Sequence, residues 1–128
     1  MLNLATPTGY TILIVDDHMS FRRVAAALLE AEGVHVVGEA ADGREALLAA
    51  AALGPDVVLL DIQLPDTDGF AVAGRLAAAD PAPIVVLTSA RDQTHFGDLI
   101  GRSGARGFIS KSDLSGPALA ALIESSAA

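Results

Sequence analysis

Five residues combine the right types and positions to do chemistry. Asp16 and Asp17 follow the apolar run Ile12–Val15, Asp61 follows Val57–Leu60, Thr88 (with Ser89) follows Ile84–Leu87, and Lys111 closes "GFISK". Three carboxylates brought together repel one another and need a cation or a shared proton. Hard oxygen donors suit Mg²⁺, which takes a few carboxylates, keeps several waters and favours phosphate oxygens as further ligands. A hydroxyl and an ammonium bind metals poorly, so Thr88 and Lys111 are placed to hold an anion. A cation site beside an anion site is the arrangement that phosphoryl transfer needs. Asp61, between them, can act as nucleophile and carry an acyl phosphate.

For these groups to meet, their apolar runs must be neighbouring parallel strands. Short β-branched runs at Thr11–Val15, Val34–Val37, Val57–Leu60, Ile84–Leu87 and Gly107–Ile109 read as strands buried on both faces. Helical stretches alternate with them at Ser20–Ala31, Gly43–Leu53, Phe70–Ala79, Thr94–Ser103 and Pro117–Glu124. Gly33, Gly54-Pro55, Pro81 and Pro83 punctuate the boundaries. His18 or Ser20 begins the first helix, Asp42 caps the second and Asp92 the fourth. In the first helix Val24, Leu28 and Ala31 mark the inward face, leaving Arg22, Arg23 and Glu30 to solvent. The fourth helix is the weakest, because Gly97, Gly101 and Gly104 each cost up to ~1 kcal/mol relative to alanine. Strict alternation implies right-handed crossovers and a parallel sheet, with the ligand site outside the carboxyl ends of the strands. The second strand ends in Glu39-Ala40-Ala41 and is read as an edge with no site role.

Bulk properties narrow the field. The 128 residues suit one domain, 1–128 with its core over about 10–125; 52% are hydrophobic and 19% charged, which fits a folded globule. No apolar run reaches the ~20 residues of a membrane span, and no signal segment follows Met1, so a cytoplasmic location is expected. The absence of cysteine excludes thiol nucleophiles, thiolate metal sites and disulfides. A net charge of −8 argues against a nucleic-acid surface on this domain.

Taken in order, Asp16-Asp17, Asp61 in "VVLLDIQLPDTDG", Thr88-Ser89-Ala90 after "IVVLT", and Lys111 in "GFISK" resemble the receiver domain of bacterial two-component response regulators. The likeness covers nearly the whole chain, and "VDDHMSFRR" and "GFISKSDL" lean toward the NarL-like subfamily. It implies a flavodoxin-like, doubly wound (βα)5 fold with strand order 2-1-3-4-5. It also implies that Asp61 accepts a phosphoryl group from a histidine kinase or phosphotransfer protein. Mg²⁺ would be bound by Asp17 and Asp61, by Asp16 through water, and by the backbone carbonyl of Gln63. Lys111 would pair with Asp61 and then with the phosphoryl group, toward which Thr88 would move. Phe108, at the aromatic switch position, would turn inward and repack the face of the fourth helix, fifth strand and fifth helix. That face is also where a homodimer is expected. The output would belong to a transcription regulator of which this is the N-terminal part, or to a stand-alone receiver.

The chain departs from the family pattern in places. Phe108 replaces the frequent tyrosine, and Ser112 follows Lys111 where many receivers have a cis-proline, so a strained or rearranged loop is expected. Asp66-Thr67-Asp68-Gly69 mimics a calcium loop but lacks its third ligand and closing glutamate, and reads as a turn. His18 lacks a partner histidine at ligand spacing and reads as a helix-start residue; His35 and His95 read as surface. Two other functions compete. A phosphorylation-independent docking module would bind no metal, and a Mg²⁺-dependent aspartyl phosphatase would need an acid where Gln63 stands. No turnover enzyme is expected beyond self-phosphorylation and its reversal.

Overall fold

A computed structural model of the chain describes residues 9–125. Strands β1 (Thr11–Val15), β2 (His35–Ala40), β3 (Val57–Asp61), β4 (Ile84–Ser89) and β5 (Gly107–Ser110) form one sheet in the order β2-β1-β3-β4-β5. Every pairing is parallel, so the expected doubly wound, flavodoxin-like arrangement is the observed one. Helices α1 (Met19–Ala31), α2 (Gly43–Leu53), α3 (Gly69–Ala77) and α4 (Gly116–Ser125) cover the sheet.

The pleat of the strands sorts their side chains onto two faces. Leu13, Val15, Val58, Leu60 and Leu87 pack on Ala46 of α2 and on Val72 and Leu76 of α3. Ile12, Ile14, Val57, Leu59 and Val86 pack on Ala25 and Leu29 of α1 and on Leu119 and Ile123 of α4. Burying one such Leu or Ile is worth about 1.5–3 kcal/mol, which is why continuous apolar runs dictate central strands. Asp42 caps α2 by accepting from the Glu45 amide at 2.8 Å, and Gly54 ends it at φ 57°, a left-handed conformation that glycine adopts without strain. Among the described residues no helix is long and apolar enough to cross a membrane.

Two expectations need correction, and one pair of alternatives is decided. The inward face of α1 is displaced by one residue: Ala25 and Leu29 are buried, whereas Val24 is 66% exposed. Phe21, Ala25 and Leu29 form the stripe that meets the sheet, a register that the alanine-rich sequence leaves open. The fourth helix, expected at Thr94–Ser103, is instead a 3-10 segment over Gln93–Leu99, broken at Gly97 with φ 59° and ψ −133°. The glycines that weakened that prediction are the physical reason. After β5 the peptide Lys111–Ser112 is trans, since the cis bond among the described residues is Asp80–Pro81. The chain turns there through a short 3-10 segment, Lys111–Asp113, so the loop is rearranged and not strained.

Candidate functional site

The carboxyl ends of β1, β3 and β5 deliver the charged groups to one place. Asp16 lies one residue beyond β1, its amide still donating to the Ala40 carbonyl at 3.0 Å, so the ladder holds it at the sheet edge. Asp61 is the last residue of β3 and pairs in register with Thr88 of β4. Directly behind Asp61, Gly69 begins α3 with its amide 2.6 Å from the Ile62 carbonyl. A Cβ on Gly69 would collide with the Asp61 carbonyl and lie 2.7 Å from the Ile62 Cα, so only glycine permits this approach. Asp68 caps α3 through the Ala71 amide at 2.8 Å. Asp66 reaches across to α2, accepting from the amides of Gly43 at 2.8 Å and Arg44 at 3.0 Å. The sequence "PDTDG" is thus a turn, as expected, and also a fastening between the loop after β3 and the start of α2.

Asp16 is fully buried and Asp61 is 4% exposed, an expensive place for two carboxylates. The Lys111 ammonium offsets the cost, with Nζ 2.5 Å from Asp16 Oδ2 and 3.3 Å from Asp61 Oδ2. The same Nζ stands 4.4 Å above the Phe21 ring, a cation–π contact. Burial pushes the Asp16 carboxyl up, but the hydrogen bonds from Lys111 and the His18 amide outweigh burial and hold it below its ordinary value. Asp61 goes the other way: burial, reinforced by the neighbouring Asp16, raises it to about 6. Burial pulls the Lys111 ammonium down, but its contacts with Asp16 and Asp61 keep it above the ordinary lysine range. Of the two buried acids, Asp16 therefore keeps its charge and Asp61 holds its proton nearer to neutrality.

These groups surround an open cavity of about 260 Å³ lined by Asp17, His18, Asp61, Gln63, Ala90 and Lys111. Ligand atoms of Asp16, Asp17, His18 and Asp61 all lie within 4.8 Å of one another. The donor set is rich in hard oxygens and includes a buried carboxylate, so its chemistry fits a small divalent cation. Gln63 sits at the rim, its amide donating to Asp61 Oδ1 at 3.1 Å. Thr88 is fully buried beside Asp61, and its Oγ1 has no hydrogen-bond partner. Phe108 does not line this cavity and packs against the cluster that contains Val85, Leu87 and Ile100. Its ring is 5.9 Å from Phe96, which is in turn 6.0 Å from Phe70.

Sequence reasoning missed four contributors. Arg22 was assigned to solvent, yet its side chain is only 15% exposed. It donates from Nη1 to the Asp16 carbonyl at 2.7 Å and from Nε to Glu39 Oε1 at 2.9 Å. Glu39 thereby gives the second strand a part in holding the acid pair. Phe21 supports Lys111. His18 does start α1, but its ring makes no cap hydrogen bond: Nδ1 lies 3.2 Å from Asp16 Oδ1 and 3.1 Å from Asp17 Oδ1. Only the spacing of Phe21 and Arg22 one turn after the acid pair could have flagged them.

The chain matches the family model described as response regulator receiver domain over residues 12–123. It is 39% identical over 100 residues to a putative transcriptional regulator of Pseudomonas aeruginosa, covering 78% of this chain and 48% of that protein. It is 40% identical over 82 residues to a protein-glutamate methylesterase/protein-glutamine glutaminase of Pseudoalteromonas atlantica, covering 63% of this chain and 22% of that protein. The chain thus spans less than half the length of these curated relatives. Among solved structures, the signal receiver domain of the putative response regulator NarL from Mycobacterium tuberculosis superposes with a TM-score of 0.80 at 34% identity, covering 94% of this chain and 98% of that one. With the family model reaching from β1 into α4 and this arrangement of acids and lysine at the strand ends, the chain belongs to the response regulator receiver domains of two-component systems.

Proposed function

We propose that the chain is a phosphorylation-dependent signalling receiver that takes a phosphoryl group onto Asp61. The observation that carries this reading is the placement of Asp61 at the cavity floor, with the Lys111 ammonium 3.3 Å from its carboxylate and the acid pair alongside. Asp61 supplies the attacking oxygen, and the new P–O bond forms as the P–N bond of a donor phosphohistidine breaks. The imidazole leaves with the bonding electron pair. The donor is a cognate histidine kinase or phosphotransfer protein. Asp17, Asp61, the backbone carbonyl of Gln63 and, through water, Asp16 would hold Mg²⁺. When bound, that ion neutralises charge on the transferring phosphoryl oxygens. Lys111 shifts from bridging Asp16 and Asp61 to pairing with a phosphoryl oxygen.

The readout follows from Thr88 and Phe108. An unpartnered, buried hydroxyl next to the acceptor is free to bond a new phosphoryl oxygen, and its movement makes room for the Phe108 ring. The face that repacks is β5, the Gln93–Leu99 segment and α4. We take residues 1–128 as one domain that acts in the cytoplasm, contacts no nucleic acid itself and turns over no substrate. Its likeness to a putative transcriptional regulator supports a role as part of a transcription regulator, and dimerisation of two copies would use the same face.

Acetyl phosphate replaces the kinase in the deciding experiment. Incubated with it and Mg²⁺, the chain should gain one phosphate in its intact mass and Asp61→Asn should not. No adduct on the wild type, or an equal adduct on Asp61→Asn, would sink the reading.

A further inference from the structure

The cavity contains one group that oxygen chemistry does not need. His18 occupies the N-cap position of α1, yet its side chain makes no cap hydrogen bond, and it leaves that role unfilled. Its Nδ1 instead sits 3.2 Å from Asp16 Oδ1 and 3.1 Å from Asp17 Oδ1. The Asp16 side is held in place: Asp16 Oδ1 accepts the His18 amide at 2.8 Å, and Arg22 grips the Asp16 carbonyl at 2.7 Å. The imidazole is 68% exposed on its outer side, so it forms the solvent rim of the cavity and not part of the core.

These distances have a meaning for a metal. Donors about 2.1 Å from an octahedral ion lie about 3 Å from one another along each edge of the coordination sphere. His18 Nδ1 and Asp17 Oδ1, 3.1 Å apart, are already at that spacing. Imidazole nitrogen contributes little to Mg²⁺ but ranks first-row divalent ions by the Irving–Williams order, with Co²⁺ and Ni²⁺ well above Mn²⁺.

We propose that His18 is a metal ligand that makes the acidic cavity a mixed nitrogen–oxygen site, selective for divalent transition ions such as Co²⁺ or Ni²⁺ over Mg²⁺. The inference rests on reading the cavity as a cation site and adds the residue that sets its preference. Where such an ion is present, it competes with Mg²⁺ for the place beside Asp61.

The test is binding, read without phosphorylation. Chelator-stripped, untagged protein is titrated separately with MgCl₂ and CoCl₂ by calorimetry, above the ordinary imidazole pKa, with the visible Co²⁺ spectrum recorded in parallel. The wild type should bind Co²⁺ more tightly than Mg²⁺ at one site, with a spectrum showing nitrogen ligation. His18→Gln should lose about tenfold or more in Co²⁺ affinity and change Mg²⁺ affinity by less than about twofold. His35→Gln, an exposed control, should behave as wild type, and Asp17→Asn should lose both ions. An unchanged ratio of Co²⁺ to Mg²⁺ affinity in His18→Gln, or an equal loss in His35→Gln, overturns the role of His18 while leaving the cation site standing. Failure of the wild type to bind either ion overturns both readings.

Discussion

Replacing Thr88 with valine should make this protein more stable and less responsive. Thr88 is fully buried, and its Oγ1 meets no hydrogen-bond partner. A hydroxyl stripped of water without compensation costs about 1–3 kcal/mol, whereas valine has nearly the same shape and suits a central strand. Thr88→Val removes the cost and keeps the contacts of β4 with β3 and β5, so a gain of about 1–2 kcal/mol is expected. For a domain of this size that is a rise in Tm of roughly 3–8 °C. Urea unfolding followed by circular dichroism measures it, with the midpoint moving up and the slope unchanged. The functional half uses the four phenylalanines as reporters, by fluorine labelling and NMR. On phosphorylation with acetyl phosphate and Mg²⁺, the Phe108 resonance should shift in the wild type and stay in place in Thr88→Val, although Asp61 still carries the phosphate. A less stable Thr88→Val would show that the hydroxyl is satisfied, and a normal Phe108 response would show that it is not the link to the switch.

Three further outcomes follow from the site. Burial with Asp16 nearby raises the Asp61 pKa to about 6 when no metal is bound, so chelator-stripped protein should show a carboxyl titrating near 6 by NMR that is absent from Asp61→Asn. The folded state holds that proton more tightly than the unfolded chain, so the group's contribution to stability is present in acid and lost as pH rises through about 6; Asp61→Asn should gain on wild type over that interval in urea titrations. Lys111→Met strands two buried carboxylates and should cost about 3–5 kcal/mol, partly recovered by adding Mg²⁺ during urea unfolding; in metal-free protein it should also push the Asp61 titration midpoint higher, because the ammonium is one of the groups that lowers Asp61. Gly69→Ala drives a methyl into the Asp61 carbonyl and the Ile62 backbone, and should lose about 1–3 kcal/mol in thermal unfolding together with most of the acetyl phosphate reaction.

How far the sequence could be read depended on how local each signal was. Strand β3 was legible to within a residue because five consecutive buried positions leave no other solution. Helix α2 was legible at both ends, since Asp42 and Gly54 are local stop signals. The face of α1 was not, because a run rich in alanine supports several registers and packing against the sheet chooses one. The Gln93–Leu99 segment lay in between: its glycines foretold weakness, but not the 3-10 form. The acids and the lysine stood out by their positions at strand ends. Arg22, Phe21 and Glu39 did not, since each matters only through a partner remote in sequence or fold.

By itself the sequence determined the sheet, its alternation with helices, and which carboxylates, hydroxyl and ammonium would meet beyond its carboxyl edge. Apolar periodicity and local capping carry that information, and both act within a few residues. The tertiary structure decided the charge states and the rim. Asp16 and Asp61 differ because only one of them lies 2.5 Å from Lys111, and His18 enters the cavity because its ring finds two carboxylates where a helix cap was expected. Such outcomes depend on distances of a few ångströms between separate segments, and on burial that exists only once the sheet and its helices have closed around them.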